Sequence, residues 1–102
     1  MSIQISNYTF EGPHTSENNL KDASGVYMIL CQSNGKYYPV DVGESATVKS
    51  RVENHERQNC WKRNCSSTLM VAVLYTPPLQ QAGRREIEQK IRNQFNFPCG
   101  KE

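Results

Sequence analysis

The sequence predicts an α+β domain: a small three-stranded antiparallel sheet flanked by helices, in the order β-β-α-β-α. Three observations carry that expectation. Val26–Leu30 and Leu69–Tyr75 are short, almost wholly apolar runs rich in β-formers. A Ser33-Asn34-Gly35 turn joins the first run to Tyr37–Val42. Ile87, Ile91 and Phe95 recur at every fourth position, which places them on one helical face. The chain has 102 residues, enough for one domain with a small core. With 36% apolar and 22% charged residues it is not a disordered polyelectrolyte. No apolar stretch approaches the ~20 residues of a membrane helix. Residues 1–10 lack the basic and apolar regions of a signal peptide, so a cytoplasmic location is expected.

Residues 1–24 read as a leader, mostly loop, and residues 25–102 as the domain. Within the leader, residues 11–24 are polar and rich in turn formers, and an early strand near Ile3–Phe10 is only weakly signalled. Val26–Leu30 follows as a central strand apolar on both faces. Pro39 in the returning strand cannot donate a ladder hydrogen bond, which puts that strand at a sheet edge or a bulge. Ser45 or Thr47 can cap the next element, where Val48 and Val52 mark a helix reaching about Glu56. Leu69–Tyr75 is the third strand, ended by Pro77-Pro78. A helix over about Leu79–Phe95 closes the chain, stopped by Pro98 and Gly100.

The register of the hairpin decides what shares a face. An Asn34-Gly35 two-residue turn would place Tyr27 and Asp41 on opposite faces. A three-residue Ser33-Asn34-Gly35 loop, with glycine at its left-handed position, pairs Tyr27 with Asp41 on one face. The second arrangement is the prediction, and a bulge at Pro39 would overturn it.

Charge is uneven along the chain. Residues 49–92 hold nine cations against four anions, whereas the rest holds three against six. Such asymmetry suits a module that meets phosphate on one side, though a plain solvated surface explains it as well. The four cysteines, Cys31, Cys60, Cys65 and Cys99, are expected to be reduced thiols in a chain without an export signal. His55, Cys60 and Cys65 have zinc-binding atoms but not the tight spacing of common structural sites, and zinc is not predicted.

Gly25-Val26-Tyr27 on the first strand and Asp41-Val42-Gly43 ending the second resemble the paired motif of the GIY-YIG nuclease superfamily. Glu44-Ser45 after that glycine, Arg51 and His55 on the following helix, and Arg85–Ile91 ahead of Asn96-Phe97-Pro98 extend the likeness over residues 24–100. One position departs from the pattern: relatives carry tyrosine where this chain has Asp41.

The resemblance implies hydrolysis of phosphodiester bonds in nucleic acid, DNA first, with Mg²⁺ or Mn²⁺ held by one carboxylate of the last helix. Helical geometry chooses between two glutamates. At 100° per residue, Glu88 lies about 60° from the centre of the apolar face and Glu86 about 140° away. Glu88 is therefore the expected metal ligand and Glu86 a surface charge. Arg51 and His55 flank the buried face of their helix and neighbour each other. Arg51 would hold the phosphate and His55 would position water or the leaving oxygen, the alternative for both being a structural polar pair. Tyr27 would line the site, or be a core tyrosine. Asp41 could act as base, join Glu88 around the metal, or repel the phosphate and abolish cleavage. The expected catalytic set is thus Tyr27, Asp41, Arg51, His55 and Glu88. The expected nucleic-acid contacts are Lys49, Arg51, Arg57, Lys62 and Arg63. Trp61 could stack on a base but reads more readily as core. Target specificity would then come from the domain itself, a protein partner or a homodimer. A second reading keeps the fold but not the chemistry: a catalytically silent module that binds nucleic acid or a protein.

Overall fold

The computed structural model describes residues 1–100. Strands β1 (Ser2–Ile5), β2 (Tyr8–His14), β3 (Gly25–Ser33), β4 (Lys36–Ser45) and β5 (Thr68–Tyr75) form one antiparallel sheet in the order β1-β2-β5-β3-β4. Three helices accompany it: α1 (Val48–Glu53), α2 (Gln58–Arg63) and α3 (Gln81–Gln94). The sheet thus has five strands, not the expected three.

Both additional strands come from the leader read above as mostly loop, where a strand near Ile3–Phe10 is only weakly signalled. Ile3, Ile5, Tyr8 and Phe10 alternate with polar residues around a Ser6-Asn7 turn, and this period of two is the signature of a half-buried hairpin. Phe10 is fully buried, and Ile5 is nearly so. A 3₁₀ turn at Glu17–Asn19, capped by the Ser16 hydroxyl accepting from the Asn18 amide, then leads to β3.

β3 sits between β5 and β4, and Val26–Leu30 is buried on both faces because each face has its own core. One core joins Tyr27, Ile29, Val40 and Val73 to Val48 and Val52 of α1 and Trp61 of α2. The other joins Val26, Met28, Val42 and Ala72 to Ile5 and Phe10 of the first hairpin, Ile91 of α3 and Phe97 of the tail. α3 packs chiefly along β4 and more lightly on β3, so its side chains can reach past the sheet edge.

The hairpin between β3 and β4 corrects the predicted loop. Ser33 pairs with Lys36, so the turn has two residues, with Asn34 and Gly35 both at positive φ. A bulge then shifts the register: Leu30 faces Pro39 while Ile29 faces Asp41, leaving Val40 as the extra residue. Tyr27 is therefore opposite Gly43 rather than Asp41. The bulge nevertheless returns Asp41 to the Tyr27 face, one step along the strand.

Two further expectations change. The first helix ends at Glu53, and a second one, α2, follows His55. The cysteines are not free thiols: Cys31 is bonded to Cys65 and Cys60 to Cys99. No helix is long and apolar enough to cross a membrane among the described residues.

Candidate active site

Asp41 is the centre of the polar structure beneath the sheet. It is fully buried and accepts four hydrogen bonds: from the Val42 amide at 2.8 Å, Arg57 Nε at 2.8 Å, Trp61 Nε1 at 2.8 Å and an Arg92 terminal nitrogen at 3.0 Å. Burial alone would raise its pKa. The hydrogen bonds from Arg57, Trp61 and Arg92 outweigh that and hold the carboxyl below its ordinary range. Four bonds use the lone pairs of a carboxylate, so none is left for a metal or a water. Asp41 as placed does not fit the expected roles of base and metal partner. It grips two arginines from different helices and ties Trp61 into the core, where Trp61 is 4% exposed rather than open for stacking.

The tail seals this arrangement. The Cys99 amide donates to the Val40 carbonyl at 3.1 Å, and Gly100 follows at φ +81°. A Cβ on Gly100 would come within 2.7 Å of Asp41 Oδ1 and 2.9 Å of the Arg92 guanidinium, so only glycine fits. Arg92 also donates to the carbonyls of Val42 and Cys99, and its ring-facing side lies 5.3 Å from the Phe97 centroid. Sequence reasoning missed Arg92. The available signal was its position one helical turn beyond Glu88, and the two side chains approach to 3.5 Å.

Tyr27 lies over Gly43, where a Cβ would overlap its hydroxyl and ring. Burial pushes its pKa up to about 12, with the Arg51 charge opposing, so at neutral pH it is a neutral phenol and not a base. The Arg51 and Arg57 charges favour the ionised form of that hydroxyl, and the Asp41 and Glu88 charges oppose it. Arg51 itself is half-exposed and forked onto Glu56 at 2.6 and 2.9 Å. Glu56 is solvent-open, so a phosphate could replace it at Arg51.

His55 is the residue least able to serve as an open acid or base. It lies 4% exposed between the rings of Tyr27 and Trp61, at centroid distances of 5.9 and 4.7 Å. Its Nδ1 accepts from the Arg57 amide at 3.0 Å, leaving Nε2 buried without a partner. Burial, reinforced by Arg51 and Arg57, lowers its pKa to about 4. The sign of the pH effect follows from this. Between about pH 6.5 and 4 the unfolded chain binds a proton that the folded chain refuses, so stability falls as pH drops through that window. The full effect is about 3 kcal/mol. Urea midpoints at neutral and mildly acidic pH are expected to differ accordingly in the wild type, and His55→Asn to flatten the difference.

Glu88 is half-buried on α3, and burial raises its pKa, with Arg92 opposing and Glu44 adding to the rise. Glu86 points to solvent and pairs with Lys90 at 3.5 Å. Glu44 is held by Arg84 at 2.9 Å and Arg85 at 3.7 Å. Phe95 falls at the C-terminal cap of α3, leaving the apolar face that Ile91 occupies, and is 37% exposed. It lines an open cleft of about 510 Å³ together with Arg57, Glu88, Gln89, Arg92 and Asn96. Of the expected nucleic-acid contacts, Lys49 and Arg51 lie on α1, Arg57 at the start of α2, and Lys62 and Arg63 in its last turn. There Lys62 and Arg63 also complement the helix dipole.

The chain matches no family model, no curated protein and no solved structure.

Proposed function

We propose that this domain is a divalent-metal-dependent endonuclease module of the GIY-YIG type, acting on phosphodiester bonds, with DNA as the first substrate to test. The observation that carries the reading is Glu88. It is a half-buried carboxylate on the last helix, 3.5 Å from Arg92, and it lines an open cleft together with Arg57 and Arg92. A single carboxylate suits Mg²⁺ or Mn²⁺, which keep several waters and take their other oxygens from phosphate. Glu88 would be the carboxylate that holds such an ion, with the remaining positions left to water and phosphate. The ion would supply Lewis-acid stabilisation of the phosphoryl oxygens. The chain's own groups do the rest. Arg51 and Arg57 bind the phosphate charge, and the buried Tyr27, His55 and Asp41 fix those groups from below. Lys49, Lys62 and Arg63 would contact the flanking backbone. Target choice would come from the domain, a protein partner or a second copy. A cytoplasmic site of action is the sequence expectation, whereas two disulfides speak for an oxidising compartment.

A second reading, a silent binding module, is favoured by one observation: Asp41, standing where relatives carry tyrosine, is wholly engaged inside the protein. Nicking of supercoiled plasmid separates the two. Wild type with Mg²⁺ or Mn²⁺ is expected to nick, and Glu88→Ala to lose about 100-fold or more of that rate. A folded wild type that binds DNA but never nicks it would establish the binding module instead.

A further inference from the structure

We infer that the cleft beside Glu88 is a subsite for one unpaired nucleotide, so that the preferred substrate is nucleic acid with an unstacked base rather than continuous duplex. The inference rests on the nucleic-acid reading above and adds the substrate class to it. Its volume of about 510 Å³ lies within the roughly 300–1,000 Å³ range of small-ligand sites. A whole duplex does not enter a space of that size; a single nucleotide does.

The lining has three chemistries that a nucleotide needs together. Phe95 supplies a flat apolar surface that stays 37% exposed at the end of α3. Its ring meets Phe97 edge to face at 6.1 Å, and Phe97 is buried beneath the Arg92 guanidinium, so the platform is held in place. The amides of Gln89 and Asn96 offer donors and acceptors to a base edge. Arg57 supplies the charge for a phosphate. Among the described residues its side chain is bonded through Nε to Asp41 and stays 31% exposed, so the terminal nitrogens of a fixed guanidinium are left for a ligand. A free anion or an acidic peptide would use Arg57 but gain nothing from an aromatic platform flanked by amides. A purely apolar ligand would leave the arginines and Glu88 unmatched.

Glu88 lines the same cleft, so a nucleotide seated on Phe95 carries its own phosphate toward the groups that would act on it. Extruding a base from a duplex is costly, and least so where the base is already unpaired. Stacking on an aromatic side chain corresponds to about 5- to 100-fold in affinity.

The test is fluorescence anisotropy in EDTA, which keeps cleavage from intervening, with two DNA probes that differ only by a single-nucleotide bulge. Wild type is expected to bind the bulged probe about fivefold or more tightly than the perfect duplex. Phe95→Ala is expected to abolish that preference while leaving the perfect-duplex affinity within about twofold, because Phe95 is exposed and supports little of the core. Phe95→Tyr, which restores a ring, is expected to restore the preference and so separates stacking from a folding defect. Equal binding of the two probes by wild type, or a preference that survives Phe95→Ala, overturns the inference and leaves the nuclease reading standing. A folded wild type that binds neither probe overturns both. Bulge preference without any metal-dependent nicking supports the subsite and removes the nuclease.

Discussion

Asp41→Ala is expected to lower stability by about 3–5 kcal/mol, the range for breaking a buried ion pair by removing one partner. The loss is large because three donors are abandoned together: Arg57 Nε, an Arg92 nitrogen and Trp61 Nε1. Trp61 is buried and the Arg92 side chain is only 19% exposed, so water cannot replace the carboxylate for them at little cost. Domains of this size have about 5–15 kcal/mol in total, and 1 kcal/mol shifts the midpoint by about 4–8 °C. Thermal unfolding is therefore expected to drop by about 12 °C or more. Asp41→Asn keeps the shape and two acceptor directions but loses the charge, and is expected to fall between wild type and alanine. Asp41→Tyr, the residue of the resembling family, is not a restoration here. A phenol does not fit a fully enclosed site covered by Gly100, and it would leave both guanidinium groups facing an uncharged partner. A catalytic Asp41 predicts the opposite pattern: unchanged melting with activity lost in every variant. The depressed pKa adds a pH signature. Asp41 stabilises the fold above its unfolded value of about 4, and that contribution is lost as pH falls through the lower folded value.

The role of Asp41 shows where the sequence was readable and where it was not. That β3 is buried on both faces is written in the uninterrupted run Val26–Leu30. The half-buried placing of Glu88 and the exposure of Glu86 follow from helical geometry around Ile87 and Ile91, because α3 is long enough for a face to be defined. The hairpin was harder. Asn34-Gly35 favours the two-residue turn that the structure has, and that turn alone would have sent Asp41 to the far face. A bulge at Val40 brought it back. A bulge depends on how two strands fit each other, and neither strand states it alone. β1 and β2 do show an alternating pattern, but it spans only three residues on each side of the Ser6-Asn7 turn, and its weight comes from Ile5 and Phe10 packing on the core formed with β3, β4, β5 and α3. Likewise α2 is six residues long, too short for periodicity, and is held by Trp61 bonding to an aspartate twenty residues away. The sequence does not say which arginine pairs with Asp41. Arg57 and Arg92 fill that place because α2 and the far end of α3 converge there, which is tertiary information.

Reducing the two disulfides is expected to cost about 4 kcal/mol for either one alone, with less than twice that for both. Cys31–Cys65 closes a separation of 34 residues and Cys60–Cys99 one of 39, and loop-closure entropy for such lengths is about 4 kcal/mol each. The loops overlap, so the second crosslink constrains a chain already constrained by the first, and the effects do not add fully. The Cys31→Ala/Cys65→Ala and Cys60→Ala/Cys99→Ala pairs are expected to melt at similarly lowered temperatures, yet to differ in what else they lose. Cys31 and Cys65 pack against the core around Ile29 and Trp61, and nothing of the cleft hangs on them. Cys99 anchors the tail whose Phe95, Asn96 and Gly100 form one wall of the cleft and whose Gly100 covers Asp41. Its partner Cys60 lies next to Trp61 on α2, one turn from Arg57. Releasing that link frees both walls at once, so the Cys60–Cys99 variant alone should lose DNA affinity at temperatures where it remains folded. Equal DNA affinity in the two variants would show that the Cys99 backbone bond to Val40 and the Arg92 contacts hold the tail without the crosslink.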